Sequence, residues 1–162
     1  MKTLGIDPGI GRCGWGVVEI EKSKLKVIAY GCIETSSKKE VPLRLLEIYD
    51  KVLDIIKKYN PDELSIEDLF FNNNAKTAFI VGQARGVILL AASKNNLNIG
   101  IYTPLQVKSA ITGYGKAEKP QVGKMVKALL SLKEIPKPDD TTDALAIAIT
   151  HAFSAKMSKI QR

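Results

Sequence analysis

The chain has 162 residues, of which 45% are hydrophobic and 25% charged, and its 24 Lys and Arg outnumber its 17 Asp and Glu. This length and composition predict one globular domain over residues 1–162, and they argue against disorder except for a flexible end at residues 158–162. The formal net charge of +7 suits a polyanionic partner, nucleic acid first and an acidic membrane surface second, but a solvated lysine-rich surface fits it equally well.

The cysteines and the apolar segments argue for a cytoplasmic protein. Cys13 and Cys32 lie far apart and form no C-x-x-C pair, which is typical of free thiols in a reducing compartment. No apolar run approaches the roughly 20 residues that a membrane helix needs, and Asp7 interrupts the N-terminal segment before a signal sequence could form. We therefore expect a cytoplasmic location and no membrane partner.

The hydrophobic pattern predicts strands first and then an alternation of helices and strands. Residues 2–7, 13–21 and 24–35 alternate like strands, and the short turns between them predict an antiparallel meander. From residue 42 the apolar positions recur at helical spacing. The later predicted elements are helix 42–59, strand 62–67, helix 75–94, strand 98–103 and helices near 104–112, 120–132 and 140–156. This order predicts an α/β fold with a five-stranded mixed sheet flanked by helices, in which strands 1 to 3 are antiparallel and strands 1, 4 and 5 parallel.

Four acidic residues fall where this sheet would bring them together. Asp7 ends strand 1 and Glu67 ends strand 4, so their carboxylates share one edge if those strands are neighbours. Asp140 and Asp143 lie three residues apart at the start of the last helix and project from one face, and Asp140 also fits a helix N-cap. Each acid alone fits a structural role, a turn, a solvated strand end or a cap, so their convergence is what favours a site.

Clustered carboxylates repel one another, and Mg²⁺ relieves that repulsion. The ion takes a few carboxylates as ligands and completes its shell with water and substrate phosphate, and two such ions can drive hydrolysis of a phosphodiester. The single histidine, His151, argues against a His-rich metal centre, and we predict that it is a surface or half-buried residue that binds no metal. Acids with a single histidine and a basic surface therefore indicate metal-assisted phosphoryl chemistry, with Mg²⁺ as the expected ion.

Four segments resemble the RuvC-type crossover junction endodeoxyribonucleases. They are GIDPGIGRCGWGVVE at 5–19, SIEDLFFNNNAKTAFIVGQARGV at 65–87, TPLQVKSAITGYGKAEKPQV at 103–122 and DDTTDALAIAITH at 139–151. The match runs in order over nearly the whole chain, and the GQARG and D-x-x-D-A-L-A-I-A runs are its specific parts. The resemblance implies a ribonuclease H-like fold, a homodimer, paired nicks in opposed strands of a four-way (Holliday) DNA junction, and a branch-migration helicase as a partner.

The resemblance also implies roles for individual residues. The family's metal-binding acids fall on Asp7, Glu67, Asp140 and Asp143, which would hold one or two Mg²⁺ ions per subunit, with Mn²⁺ as a substitute. Because Asp139 adjoins Asp140, the register there is open by one residue. The implied DNA contacts are Phe70, which would stack on bases, and Lys108, Lys119, Arg85 and Lys116.

Two further features of the sequence concern packing and surface. Ala78, Gly82 and Gly86 repeat every fourth residue of the second helix, through which the family dimerises, although close packing within the subunit fits them as well. Tyr114 stands between two glycines in a basic loop that we expect to be flexible and suited to a DNA-backbone contact. No role is assigned to its side chain.

Three other functions stay open on the sequence. Nucleotide-binding ATPase domains of the actin-like and sugar-kinase group begin with a similar Asp-Gly turn, but they need a second domain for which 162 residues leave little room. A non-catalytic junction-binding module of the same fold would be expected to lack some of the metal-binding acids. All of those acids are present here. A ribonuclease H-like enzyme acting on RNA–DNA hybrids would keep those acids, so only its substrate separates it from a junction nuclease.

Overall fold

A computed structural model describes residues 1–22, 24–68 and 75–160 of the chain. The strands are Lys2–Asp7 (β1), Arg12–Glu21 (β2), Lys24–Glu34 (β3), Glu63–Glu67 (β4) and Asn98–Tyr102 (β5). The helices are Val41–Tyr59 (α1), Ala75–Lys94 (α2), Pro104–Thr112 (α3), Lys119–Leu129 (α4) and Asp139–Ile160 (α5). Each predicted element is present within a few residues of its predicted bounds, and the end predicted to be flexible is described only to Ile160, within α5. No helix in the described ranges is both long and apolar enough to cross a lipid bilayer.

The five strands form one mixed sheet in the order β3-β2-β1-β4-β5. β1 pairs antiparallel with β2, and β2 pairs antiparallel with β3, as expected for strands joined by short turns. β4 pairs parallel with both β1 and β5, because each of these connections crosses over through a helix. The predicted meander and the predicted parallel set are both confirmed.

Alternation of side chains along the central strands gives the sheet two hydrophobic cores. Leu4 and Ile6 of β1 and Leu64 of β4 pack with α1 and α2 on one face. Gly5, between the two β1 residues, points to the opposite face, where it meets α5. α3 and α4 pack beside α5 on that second face, so the last helix lies between the sheet and these two shorter helices.

α5 lies directly on the backbone of β1 and β2 because glycines line the contact. A Cβ atom on Gly5 would lie 2.3 Å from the Ala144 carbonyl oxygen, and one on Gly14 would lie 1.9 Å from the Asp140 carbonyl oxygen. Real side chains never approach so closely, so no other residue fits at either position without moving the helix. The glycines therefore set how near the first turns of α5 come to the carboxyl end of β1.

Candidate active site

Asp7 and Glu67 are the last residues of two hydrogen-bonded parallel strands. The register pairs Ile6 of β1 with Ile66 of β4, so the next residue along each strand is one of the two acids. Because the two isoleucines pack in the core that contains α1 and α2, alternation turns both acids toward α5. The expectation that these residues share one edge of the sheet is confirmed by the strand pairing.

The first turn of α5 carries the other two acids and is fixed against the sheet. Asp140 is the second residue of this helix, so the prediction that it is the N-cap is wrong. The close contact with Gly14 holds the turn against β2, and Thr141 Oγ1 donates a hydrogen bond to the Gly31 carbonyl of β3 at 3.3 Å. These two contacts determine where Asp140 and Asp143 lie relative to the strand ends.

The four predicted acids act on one another electrostatically. The pKa of Asp7 is raised to about 8, first because burial disfavours the charged carboxylate, then because Asp143, Glu67 and Asp140 repel it. The positive charge of Lys119 opposes that shift. The pKa of Glu67 is also raised, by burial and then by Asp143. Acids taken from β1, β4 and α5 are thus gathered into one cluster.

Two lysines supply positive charge to the same cleft. Lys119 Nζ lies 2.9 Å from Asp143 Oδ2, and this hydrogen-bonded ion pair raises the pKa of Lys119. Lys108 lowers the pKa of Glu67, but burial outweighs its effect. The cleft has a volume of about 350 Å³, and its lining residues are Asp7, Glu67, Pro104, Val107, Lys108, Lys119, Val122, Asp143, Ala146 and Ile147.

Asp140 fits the acidic cluster better than its neighbour Asp139. Asp140 is one of the groups that raise the pKa of Asp7, and Asp139 is not. Asp139 instead lines a neighbouring depression together with Lys137. On the other side, Asp140 Oδ2 lies 3.8 Å from Nη1 of Arg12, a β2 residue that sequence reasoning missed. The repulsion of Asp7 by Asp140 favours the assignment of Asp140, which stays a prediction.

The other predicted DNA contacts occupy different environments. The Arg85 side chain is only 17% exposed: its Nε donates to the Glu67 carbonyl at 3.3 Å, and its Nη2 lies 3.7 Å from Asp68 Oδ1. This places Arg85 behind the end of β4 in a supporting position. Lys116 is exposed in the loop between α3 and α4. Phe70 lies outside the described residues, so its stacking role stays a prediction.

His151 is buried, and the prediction of a surface or half-buried residue is wrong. It is 8% exposed and lies over Gly100 of β5, which has no side chain to obstruct the ring. Its Nε2 contacts the Glu63 carboxylate, and its Nδ1 lies 2.8 Å from the Tyr102 hydroxyl oxygen. Gly100 in β5 leaves room for the ring of His151. This glycine is the sequence signal that could have indicated the burial of His151.

The donor chemistry of the cluster fits a hard divalent cation. Carboxylate oxygens are the preferred protein ligands of Mg²⁺ and similar ions. Among the described residues, no group of three or more Asp, Glu, His or Cys side chains is arranged to hold a metal ion as it stands. Lys119 and Arg12 pair instead with Asp143 and Asp140. Burial and then repulsion by the other acids raise the pKa of Asp7, and the charge of Lys119 does not offset them.

The chain matches one family of nucleases along nearly its whole length. Residues 3–151 match the family model described as crossover junction endodeoxyribonuclease RuvC. The protein of that name from Caldicellulosiruptor saccharolyticus is 56% identical, over 96% of this chain and 94% of its own. A Thermus thermophilus RuvC structure superposes with a TM-score of 0.91 at 38% identity, covering 98% of this chain and 97% of that one. The structure of T. thermophilus RuvC in complex with Holliday junction substrate has a TM-score of 0.89 at 37% identity. The match covers 97% of this chain and 96% of that one.

Proposed function

Because the chain belongs to the crossover junction endodeoxyribonuclease RuvC family, we propose that it resolves four-way DNA junctions by cutting two opposed strands symmetrically. The observation that carries this proposal is the convergence of acids from β1, β4 and α5 in a cleft walled by Lys108 and Lys119. A branch-migration helicase is proposed as a partner on the family resemblance alone.

We infer that the cleft holds one or two Mg²⁺ ions, which Mn²⁺ can replace. Asp7, Glu67, Asp140 and Asp143 would hold the metal, which when bound supplies an activated water and stabilises negative charge on the phosphodiester. The raised pKa of Asp7 supports this inference, since a cluster of acids that retains a proton at neutral pH is one that a divalent cation would stabilise. Metal binding should therefore strengthen as the pH rises and that proton leaves.

The chain's own residues position the DNA around this cleft. Lys108 and Lys119 stand in its wall, where their ammonium groups can bind the oxygens of the scissile phosphate. The apolar side chains of Val107 and Val122 line the same wall and limit the water around the phosphate. Arg85 holds the Glu67 carbonyl and so keeps the end of β4 in place. We propose that Arg85 acts on the DNA through Glu67 and not by direct contact.

The proposal predicts loss of cleavage without loss of binding when Asp7 is neutralised. Asp7→Asn removes a carboxylate from the cluster but leaves the lysines that contact DNA, so junction affinity should stay within about threefold of wild type. Cleavage of a synthetic four-way junction in Mg²⁺ should fall at least about a hundredfold. A gel assay that resolves nicked products from bound and free junctions measures both quantities.

Asp54→Asn is the matched control, because Asp54 is an exposed acid on α1. Asp54→Asn should cleave like the wild type. Chelation of divalent ions should stop cleavage by Asp54→Asn and by the wild type. Cleavage by Asp7→Asn at the wild-type rate would remove Asp7 from the site. A wild-type protein that cuts linear duplex or RNA–DNA hybrid in preference to the junction would overturn the proposed substrate.

We further propose that two copies pair through α2. Ala78, Gly82 and Gly86 share one face of this helix, and a Cβ atom on Gly86 would meet no atom of the described residues within 4 Å, so that part of the face is open toward them. Phe79 and Leu90 lie near the same face and are 67% and 53% exposed. A two-fold dimer through such a surface would give two equivalent clefts for two symmetry-related strands.

A further inference from the structure

Hydrogen bonds tie the backbone of the loop between α3 and α4, whose flexibility stays a prediction. Gly113 ends α3 in the left-handed conformation with φ of 75°, which glycine adopts without strain. The Thr112 hydroxyl accepts from the Tyr114 amide at 3.1 Å and donates to the Lys108 carbonyl at 2.8 Å. The Ala117 amide closes the loop on the Tyr114 carbonyl at 3.0 Å. The backbone that carries Tyr114 is therefore held at both ends.

This hydrogen-bonded loop presents the Tyr114 side chain to solvent. Tyr114 is 60% exposed, although a tyrosine that served packing would bury most of its ring. A depression of about 330 Å³ lies beside it. The residues that line this depression are Thr112, Tyr114, Ala117, Gln121, Lys124 and Met125. An aromatic ring, a thioether and an ammonium group thus share one shallow surface.

The charge and position of this surface indicate what it binds. Residues 113–125 contain three lysines, Lys116, Lys119 and Lys124, against the single acid Glu118. The loop also joins the two helices that place Lys108 and Lys119 in the acidic cleft. A nucleotide has both the flat face that stacks on an aromatic ring and the phosphate that pairs with lysine. An acidic peptide offers only the charge.

We propose that Tyr114 and the depression beside it bind a nucleotide of the junction DNA. The inference rests on the proposed junction nuclease activity and adds a non-electrostatic contact to it. Stacking on Tyr114 would fix the position of that nucleotide on the protein. The neighbouring Lys124 would pair with the phosphate of the same nucleotide.

The test compares Tyr114→Ala and Tyr114→Leu with Tyr114→Phe in the full-length protein. Binding to a four-way junction is measured in chelator, with the fluorescent base 2-aminopurine placed in turn at successive positions of one strand. Loss of the ring should weaken binding roughly 5- to 100-fold and abolish the fluorescence change at one of those positions. Tyr114→Phe should behave like wild type, whereas Tyr114→Leu should resemble Tyr114→Ala.

Salt dependence separates stacking from charge. Tyr114→Ala should leave the slope of log K against log salt unchanged, whereas Lys124→Ala should reduce its magnitude by about 0.9. Lys24→Ala, at the exposed start of β3, is the control and should change neither affinity nor slope. Wild-type affinity of Tyr114→Ala, or equal binding by Tyr114→Leu and Tyr114→Phe, would overturn the inference. Failure of the wild-type protein to bind or cut the junction would instead defeat the proposed function.

Discussion

Asp7 sits at a place that is costly for a charged side chain in the metal-free protein. Its carboxylate ends a buried strand, and burial is the largest cause of its raised pKa, ahead of repulsion by Asp143, Glu67 and Asp140. A residue selected for stability alone would not be ionisable there, since a buried charge without a partner is unfavourable. The unfavourable free energy of burying this carboxylate is explained if its role is to bind a cation.

This cost predicts how stability depends on pH when divalent ions are chelated. The pKa of Asp7 is about 8 in the folded protein against an ordinary 3.8, so between about pH 4 and pH 8 the folded state retains a proton that the unfolded chain has released. The free energy of unfolding should therefore fall as the pH rises across that window. Asp7→Asn, which cannot ionise, should lose part of this slope and be more stable than wild type near pH 8 but not near pH 4.

Urea unfolding at several pH values in chelator measures that difference. Glu67 also has a raised pKa, so some slope should persist in Asp7→Asn. If the stability curves of the variant and the wild type run parallel, Asp7 is not protonated in the folded protein. Adding Mg²⁺ or Mn²⁺ near pH 8 should stabilise the wild type more than the variant, because ligand binding to the folded state stabilises it.

A second prediction concerns the buried polar group formed by His151, Glu63 and Tyr102. His151→Ala would leave the Glu63 carboxylate, whose side chain is 19% exposed, without its imidazole partner. We expect this variant to lose about 2–4 kcal/mol of unfolding free energy. Tyr102→Phe, which removes the hydroxyl that contacts His151 Nδ1 and Ser154, should lose about 1 kcal/mol. A loss from His151→Ala no larger than that from Tyr102→Phe would show that the contact with Glu63 contributes little.

The contact between α5 and β2 makes the position of the acids depend on a glycine. A Cβ atom on Gly14 would lie 1.9 Å from the Asp140 carbonyl oxygen and 2.8 Å from the Thr141 amide nitrogen. Gly14→Ala should therefore shift the first turn of α5, cost about 1–3 kcal/mol of stability and lower junction cleavage more than junction binding. Thermal unfolding and the cleavage assay test the two effects.

Gly11→Ala is the matched control for that substitution. Its added Cβ would meet only the end of the Arg44 side chain, at an ordinary 3.6 Å. It should change stability by less than about 1 kcal/mol and leave cleavage intact. Equal behaviour of the two variants would mean that the Gly14 contact does not position the acids.

Elements defined by local patterns could be predicted from the sequence, and contacts between distant residues could not. The strands and helices follow from alternation and helical spacing, and the meeting of Asp7 with Glu67 follows from the crossover rule. His151 was misjudged because its partners Tyr102 and Glu63 lie 49 and 88 positions away. The sequence of α5 around His151 gives no sign of either partner. Arg12 was missed for the same reason, since Asp140 comes beside it only after α5 packs on β2.

Assembly into a dimer is predicted to depend on α2 and not on α3. Leu90 of α2 and Leu105 of α3 are both exposed leucines, at 53% and 63%. Leu90→Asp should convert the protein to a monomer, because a charge at the core of a subunit interface is desolvated without a partner. Leu105→Asp should leave the dimer intact. Sedimentation over a range of concentrations distinguishes them, and a Leu90→Asp protein that sediments like wild type would exclude this face.

The Thr141 hydroxyl and the Gly31 carbonyl that it binds lie 110 positions apart in the chain. The two residues therefore leave the ribosome at different stages of synthesis. Translation completes all five strands before α5 leaves the ribosome, so a growing chain has Asp7 and Glu67 but neither Asp140 nor Asp143. Such a chain carries two of the four acids of the cluster and most of the lysines of the whole chain. Incomplete products would therefore have a basic charge but would lack two of the four acids that we propose hold the metal.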